Sequence, residues 1–207
     1  DQEDFWILES EIHITDNNLE QARQVLLKGL SKQDQSTSLL FQLGVVEYEQ
    51  GRVSQALEHM ERVINIDPDH AAALNFIGYT LAEQGQNLDR AEILIKKALN
   101  LDPENGYYLD SLAWLYFKSG KLNKAWEAIS SAVAKVQNDP IIWEHYADIA
   151  SALQKYEQAR AGYERALEHS PDNPGQIKDK LKSILSRDSS SFPADRWAVP
   201  RGSAFVC

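Results

Sequence analysis

The sequence predicts an all-α protein, an α-solenoid of about five helix-turn-helix units followed by one capping helix. Three observations support this fold class: a periodic alanine, small and large apolar residues at fixed distances before it, and glycine or proline where helices should end. The spacings between the alanines are 34, 35, 34 and 34 residues. The five alanines are Ala22, Ala56, Ala91, Ala125 and Ala159. A repeat of this length is typical of stacked helical hairpins, which bury their apolar faces only against their neighbours.

The residues that precede each alanine explain how the two helices of a unit can pack. A small residue lies twelve positions before the alanine, or thirteen in the third unit: Ser10, Gly44, Gly78, Ala113 and Ala147. Small residues at paired positions let two helices approach closely, because longer side chains would hold the backbones apart. A large apolar residue lies four positions earlier still, where it can pack between units: Trp6, Leu40, Leu74, Leu109 and Trp143.

Glycine and proline mark the ends of the predicted helices. Gly51, Gly85 and Gly120 follow the first helix of their units, where a residue with left-handed backbone can end a helix without strain. Proline closes three of the units and prevents the second helix from continuing into the next unit. These prolines are Pro68, Pro103 and Pro171.

The combined pattern resembles the tetratricopeptide repeat (TPR). The W-x2-L-G-x2-Y, A-x3-F and terminal P pattern of that family is matched by Leu40, Leu43, Gly44, Ala56, Met60 and Pro68, and by their equivalents downstream. Residues 78–88 and 109–114 look like a bacterial subgroup that includes envelope lipoproteins and secreted-side adaptors. The resemblance implies a right-handed solenoid and a protein-interaction function. It favours the bacterial cell envelope or periplasm over the cytoplasm.

The predicted organisation has three parts. The TPR array covers 3–173, with units 3–36, 37–70, 71–105, 106–139 and 140–173. The first unit is degenerate, because Glu9 stands where the other units carry a large apolar residue and the closing proline is missing. Residues 174–187 are predicted to form an amphipathic capping helix, with Ile177, Leu181, Ile184 and Leu185 on one face. Residues 188–207 are predicted to be an extended tail.

Composition excludes several classes of function. The formal net charge is -10, from 31 acidic and 21 basic side chains, which argues against nucleic-acid binding because phosphates require clustered Lys and Arg. No segment is long and apolar enough to predict a membrane span. The single cysteine, Cys207, excludes an internal disulfide and a cysteine-based zinc cluster. The chain has neither a signal peptide nor an initiating methionine, which indicates that it begins inside a longer gene product or after processing.

The sequence predicts neither an enzyme nor a cofactor or metal site. The five histidines are scattered, and no two have the i, i+4 spacing of a helical metal site. Serine-hydrolase, phosphate-loop and H-E-x-x-H motifs are absent from the sequence. A regulatory TPR region of a larger enzyme stays open as an alternative.

The family resemblance implies a binding groove, because the first helix of each TPR unit lines the concave face. The predicted groove residues are Phe41, Val45, Tyr48, Glu49, Asn75, Tyr79, Glu83, Tyr107, Asp110, Trp114, Phe117, Glu144 and Asp148. The aromatic members exceed what scattered surface residues require, although packing between units could absorb Phe41, Tyr79 or Phe117. The carboxylates predict a partner peptide with apolar anchors and Arg or Lys between them. They argue against the acidic chaperone tails that other TPR proteins bind through Lys, Arg and Asn.

The tail carries side chains that such a groove should accept. These are Arg196, Trp197, Val199, Arg201 and Phe205. At about 3.3 Å per extended residue, the tail could reach its own repeats or those of a neighbouring chain. Docking on a neighbour would produce a homo-oligomer, which makes a self-associating scaffold the alternative function. Residues 199–203 also resemble a thrombin-cleavage linker, so an origin of the tail outside the native protein stays open.

Overall fold

The computed structural model describes residues 2–191, with side chains through Ser186. The described residues form eleven α-helices and no strand, which confirms the predicted all-α fold class. The helices are α1 Gln2–Thr15, α2 Leu19–Leu30, α3 Thr37–Glu49, α4 Val53–Ile66, α5 Ala71–Gln84, α6 Leu88–Leu101, α7 Gly106–Lys118, α8 Leu122–Lys135, α9 Pro140–Ala152, α10 Tyr156–Glu168 and α11 Pro174–Ser191. They belong to two compact units, Asp1–Val136 with α1 to α8 (unit 1) and Gln137–Cys207 with α9 to α11 (unit 2).

In unit 1, consecutive helices pair into hairpins, and each hairpin packs on the next. The pairs are α1 with α2, α3 with α4, α5 with α6, and α7 with α8. The second helix of a hairpin contacts the first helix of the following one, as α2 contacts α3. Leu39, Leu43, Met60 and Ile77 are fully buried between these helices. Burial of each such side chain stabilises the fold by about 1.5–3 kcal/mol, so the contacts between hairpins hold the unit together.

The periodic small residues permit the close approach that the sequence predicted. The repeated alanines of unit 1 are fully buried. A Cβ atom added to Gly44 would lie 2.7 Å from Met60 Cε, and one added to Gly78 would lie 2.5 Å from Ile95 Cγ1. Both distances are shorter than ordinary contacts, so a side chain at either glycine would have to displace Met60 or Ile95 where the first helix crosses the second.

The turn inside each hairpin uses a left-handed residue at the same repeat position. Gly51, Gly85 and Gly120 have φ values of +76°, +66° and +72°. Asn17 and Gln154 take the equivalent positions with φ values of 55° and 58°. The backbone conformation is therefore repeated even where glycine is not. Only glycine adopts it without a steric cost.

First helices begin with a side-chain cap in several units. Ser36, His70, Asn105 and Asp139 accept hydrogen bonds from backbone N–H groups at the starts of α3, α5, α7 and α9. These bonds satisfy donors that have no partner within the helix. The caps mark where each new helical hairpin starts. This includes the hairpin that begins with α9, although no proline closes the hairpin before it.

In unit 2, α9 and α10 form a hairpin, and α11 packs on α10. Ile177 and Ile184 of α11 are buried, whereas Leu185, predicted on the same apolar face, is 43% exposed. The helix continues through Ser191, four residues past the predicted boundary at 187. The remaining tail, with all five predicted docking side chains, lies outside the described residues.

Candidate functional site

The predicted groove residues are carried by four first helices. In unit 1 they are Phe41, Val45, Tyr48 and Glu49 on α3, Asn75, Tyr79 and Glu83 on α5, and Tyr107, Asp110, Trp114 and Phe117 on α7. In unit 2 they are Glu144 and Asp148 on α9. The two sets have different surroundings and are described separately.

Glu83, at the C-terminal end of α5, lies in a cluster of charged and aromatic side chains. Trp114 Nε1 donates a hydrogen bond to Glu83 Oε2. Lys118 Nζ lies 3.9 Å from Glu83 Oε1 and 5.4 Å from the centroid of the Trp114 ring. Trp114 in turn stacks on Phe117, with ring centroids 5.0 Å apart and an interplanar angle of 27°. These contacts join the neighbouring first helices α5 and α7.

The aromatic surface continues onto α3 through Tyr48. Its ring packs edge-on against Phe76, with centroids 5.2 Å apart and an interplanar angle of 77°. Burial raises the pKa of Tyr48, and the negative charge of Glu83 raises it further. Glu83 is therefore close enough to affect the Tyr48 hydroxyl as well as Trp114.

We name this set of six side chains from α3, α5 and α7 the Glu83 patch. Its members are Tyr48, Phe76, Glu83, Trp114, Phe117 and Lys118. All six are partly accessible, and the Glu83 side chain is 43% exposed. Phe76 was not among the predicted groove residues. Its aromatic side chain beside the predicted position Asn75 was the available signal.

Phe41 and Val45 have a packing role. Both are partly buried against the apolar core of unit 1. Phe41 also stacks on His70, with ring centroids 5.1 Å apart, and His70 Nδ1 accepts a hydrogen bond from the Ala73 N–H at the start of α5. Phe41 is therefore a packing residue of unit 1. This is one of the two roles that the sequence left open for it.

Asp110 requires a correction. The sequence placed it as an acidic group beside the aromatic residues of an accessible groove, but its side chain is buried, with 7% exposure. Helix α7 packs against α5, α6 and α8, and this packing buries Asp110 together with Ser111, Ala113 and Leu115. Tyr107, one turn earlier, is 53% exposed, and Glu49 on α3 is exposed as well.

In unit 2, the two predicted carboxylates bind a lysine of the same chain. Lys180 Nζ lies 2.8 Å from Glu144 Oε1 and 2.7 Å from Asp148 Oδ2. The Tyr163 hydroxyl donates to Asp148 Oδ1 at 2.6 Å. Burial opposes the charged form of Lys180, but the hydrogen bonds to Asp148 and Glu144 outweigh this effect and raise its pKa. The amphipathic pattern from which α11 was predicted gave no indication of this contact.

A second acid–base network, around Glu47, was also missed. The Glu47 side chain is 2% exposed, and its oxygens accept hydrogen bonds from Arg23 Nε at 2.7 Å and Arg52 Nη1 at 3.3 Å. The following repeats carry Leu81 and Tyr116 at this position. A glutamate where other repeats carry a large apolar residue was therefore the feature of the sequence that could have indicated the network. Both carboxylate oxygens are satisfied within unit 1, which fits a structural role.

Among residues 2–186, no group of three or more His, Cys, Asp or Glu side chains is arranged to hold a metal ion. None of the helices in the described part of the chain has the length and apolar character needed to cross a bilayer.

Comparison with known proteins identifies the repeat. Two family models described as tetratricopeptide repeat match residues 47–115 and 103–191, and together they span 47–191. The chain belongs to the tetratricopeptide repeat family. Its TPR units are also similar to those of a TPR repeat-containing protein of Pseudomonas aeruginosa, with 30% identity over 131 residues. That match covers 63% of this chain and 22% of the relative. The chain spans 22 to 25% of the length of the first curated relatives that it matches.

Solved structures support the same TPR fold. A thermophilic TPR protein of Thermus thermophilus superimposes with a TM-score of 0.73 at 20% identity, covering 89% of this chain and 99% of that one. The first TPR of Spaghetti (RPAP3), bound to the HSP90 peptide SRMEEVD, has a TM-score of 0.53 at 28% identity. It covers 57% of this chain and 93% of that one. The TPR fold is generally a non-catalytic scaffold for protein–protein interaction, and the sequence-based family prediction is confirmed.

Proposed function

We propose that the Glu83 patch of this TPR protein binds an extended peptide segment of a partner. The bound segment carries apolar anchors, with Arg or Lys between them. The observation that supports this proposal most strongly is the position of Glu83: a carboxylate that is 43% exposed, accepts a hydrogen bond from Trp114 on α7 and raises the pKa of Tyr48 on α3 by its charge.

The aromatic members supply contact area for the anchors. Large aromatic side chains dominate binding energy at interfaces, because they bury much surface and lose little conformational freedom. Trp114 and Phe117 already stack on each other, and Tyr48 is held against Phe76. The surface is therefore ordered before a ligand arrives, which reduces the entropic cost of binding.

The charge of the patch selects the basic residues of the ligand. The helices α3, α5 and α7 contribute Glu47, Glu49, Glu83, Asp110 and Lys118; of the four carboxylates, Glu49 and Glu83 are exposed, whereas Glu47 and Asp110 are buried. An arginine of the ligand would pair with Glu83 and stack on Trp114, a ring that already accepts the ammonium of Lys118 on its face.

The same charges favour a different ligand from that of the RPAP3 repeat. The peptide in that structure, SRMEEVD, carries three acidic side chains within its last four residues. Here, such side chains would approach Glu83 and Glu49, and like charges at an interface reduce affinity. We therefore infer a basic and apolar ligand for this chain.

We propose the bacterial cell envelope or periplasm as the compartment. The relative in Pseudomonas aeruginosa supports a bacterial setting. Fractionation of host cells with an antibody against the chain tests the compartment, and recovery in the cytoplasmic fraction would contradict it.

Selection from a phage-displayed library of random peptides tests the function. The immobilised full chain should enrich peptides that combine aromatic or aliphatic residues with Arg or Lys. A Trp114→Ala, Tyr48→Ala double variant should enrich none of them, because it removes aromatic contact area of the Glu83 patch from α7 and α3. Ile93→Ala is the matched control, since Ile93 is 68% exposed but lies on the second helix α6.

Circular dichroism of each variant separates loss of binding from loss of fold. The proposal requires that the double variant keep its helicity while it loses the selected peptides. Equal enrichment by the double variant and by Ile93→Ala would show that the peptides bind elsewhere.

A further inference from the structure

The outer face of α1 carries three large apolar side chains that the described residues leave exposed. Phe5, Leu8 and Ile12 are 56%, 59% and 55% exposed. Their spacing of three and four residues puts them on one face of the helix. An exposed apolar stripe of this kind on a water-facing helix marks an interaction surface.

The next repeat shows which kind of element covers the equivalent face of a first helix. Phe5 and Ile12 correspond, one repeat later, to Leu39 and Val46 of α3, both of which are fully buried. Helix α2 packs on α3 at this point, and a Cβ atom added to Gly29 of α2 would lie 3.0 Å from Leu39 Cδ1. The face that α1 exposes is therefore the face on which a first helix receives a second helix.

Residue charges indicate which kind of helix this face can accept. Helix α1 contains Glu3, Asp4, Glu9 and Glu11 but no Lys or Arg. A second copy of α1 packed on this face would bring acidic side chains against acidic side chains, which argues against a symmetric dimer. Within unit 1, the second helix α2 supplies the base instead, since Arg23 pairs with Glu47 of α3 at 2.7 Å.

We infer that the face formed by Phe5, Leu8 and Ile12 is a docking site for an amphipathic helix of a partner protein. That helix carries small and aliphatic side chains on one face and Lys or Arg along its flanks, and it packs on α1 as α2 packs on α3. This docking site is separate from the Glu83 patch, so either proposal can fail without the other.

A peptide with the sequence of α6, Leu88–Leu101, is a suitable probe. It is a second helix of this fold and carries three basic and two acidic side chains. The control peptide has the sequence of α4, Val53–Ile66, which carries one arginine and two glutamates. Peptides of this length are only marginally helical, so both are cross-linked on their polar faces to hold the helix. Fluorescence anisotropy with the full chain measures binding.

The α6 peptide should bind saturably, about tenfold more tightly than the α4 peptide at low salt, because of its basic flanks. Leu8→Asn in the full chain should abolish this binding. Ile93→Asn should leave it unchanged, since Ile93 is a comparably exposed apolar residue outside the face. Both sites are exposed, so neither substitution should reduce helicity or thermal stability.

Two results would overturn the inference about α1. One is equal binding of the α6 peptide to the Leu8→Asn and Ile93→Asn variants, or no binding to the wild-type chain. The other is a concentration-dependent doubling of mass that Leu8→Asn abolishes, which would assign the face to a second copy of this chain.

Discussion

The acidic residues of the first helices differ between the two units in exposure and in their distance from a cation. In unit 1, the Glu83 side chain is 43% exposed, and its nearest cation is Lys118 at 3.9 Å. In unit 2, the Glu144 and Asp148 side chains are 24% and 16% exposed, and Lys180 binds them at 2.8 and 2.7 Å. The TPR frame is the same, but in unit 2 helix α11 supplies the ammonium of Lys180 to the acidic surface of α9.

This difference shows that acidic first-helix residues do not by themselves identify a ligand site. What matters is whether the chain already provides a close cation. An exposed pair such as Glu83–Lys118 stabilises a fold by about 0–1 kcal/mol, so a ligand can compete with it. An ion pair between a partly buried ammonium and two carboxylates is more costly to break, because removing one partner leaves the other charge partly buried without a counter-charge.

Neutralising the carboxylates should affect stability far more in unit 2 than in unit 1. We expect Glu144→Gln with Asp148→Asn to reduce the free energy of unfolding by about 2 kcal/mol, because Lys180 stays partly buried without a counter-charge. Glu83→Gln should change it by less than about 0.5 kcal/mol. Urea titration followed by circular dichroism measures both values. Equal losses would remove the distinction between the two acidic surfaces.

Glu92 on α6 is an acidic residue of unit 1 that, like Glu47, is paired with cations of the same chain, here Lys96 and Lys121. The hydrogen bond from Lys96 lowers the pKa of Glu92 to about 2; burial opposes this shift, and Lys121 adds to it. The stabilisation is complete above the unfolded value of 4.5 and is lost as the pH falls toward 2. After discounting for solvent screening, we expect Glu92→Gln to cost about 1 kcal/mol at pH 7.

Acid titrations of the wild type and Glu92→Gln provide the check. The difference in melting temperature between them should shrink between pH 4.5 and pH 2. Glu58→Gln is the control, because it removes the same charge from an exposed position on α4. A difference between wild type and Glu92→Gln that stays constant over this range would contradict the assigned role of Glu92.

The turn residues give the smallest expected effect. Unit 2 uses Gln154 where three of the four hairpins of unit 1 use glycine, and Gln154 has a left-handed φ of 58°. We expect Gln154→Gly to stabilise the protein by about 0.5–1 kcal/mol, because it removes the steric cost of that conformation. Gly85→Ala should destabilise it by a similar amount, since a Cβ there meets nothing within 4 Å and only the backbone is strained. Differential scanning calorimetry resolves both shifts, and shifts of the opposite signs would show that other contacts of these turns dominate.

The sequence predicted the repeated frame well because one physical requirement recurs in every unit. Helix crossing demands a small residue, so Gly44, Gly78 and the periodic alanines could be recognised without a structure. The turn glycines were predicted for a second recurring reason, since a residue with left-handed backbone ends the first helix of each hairpin. The left-handed conformations of Asn17 and Gln154 could have been read from their repeat position, but not from residue type alone.

Contacts between side chains distant in sequence were less predictable. Lys180 reaches Glu144 and Asp148 across more than thirty residues, and the spacing of α11 gives no indication of it. Asp110 is buried because three helices surround α7, a packing detail that the repeat pattern does not encode. Tyr48, Trp114 and Phe117 were predicted as groove residues and Phe76 was not, whereas the contacts of these residues with one exposed carboxylate emerged only from the fold.

Charge reversal at Glu83 tests the proposed peptide site most directly. A selected peptide with one essential arginine is titrated by calorimetry into the wild type, Glu83→Lys and Glu58→Lys. Glu58 is an exposed glutamate on the second helix α4, so both variants change the net charge equally. We predict that Glu83→Lys reduces affinity by about tenfold or more, that Glu58→Lys changes it by less than about twofold, and that replacing the peptide arginine with glutamate restores binding to Glu83→Lys. Equal effects of the two reversals would contradict a peptide site at Glu83.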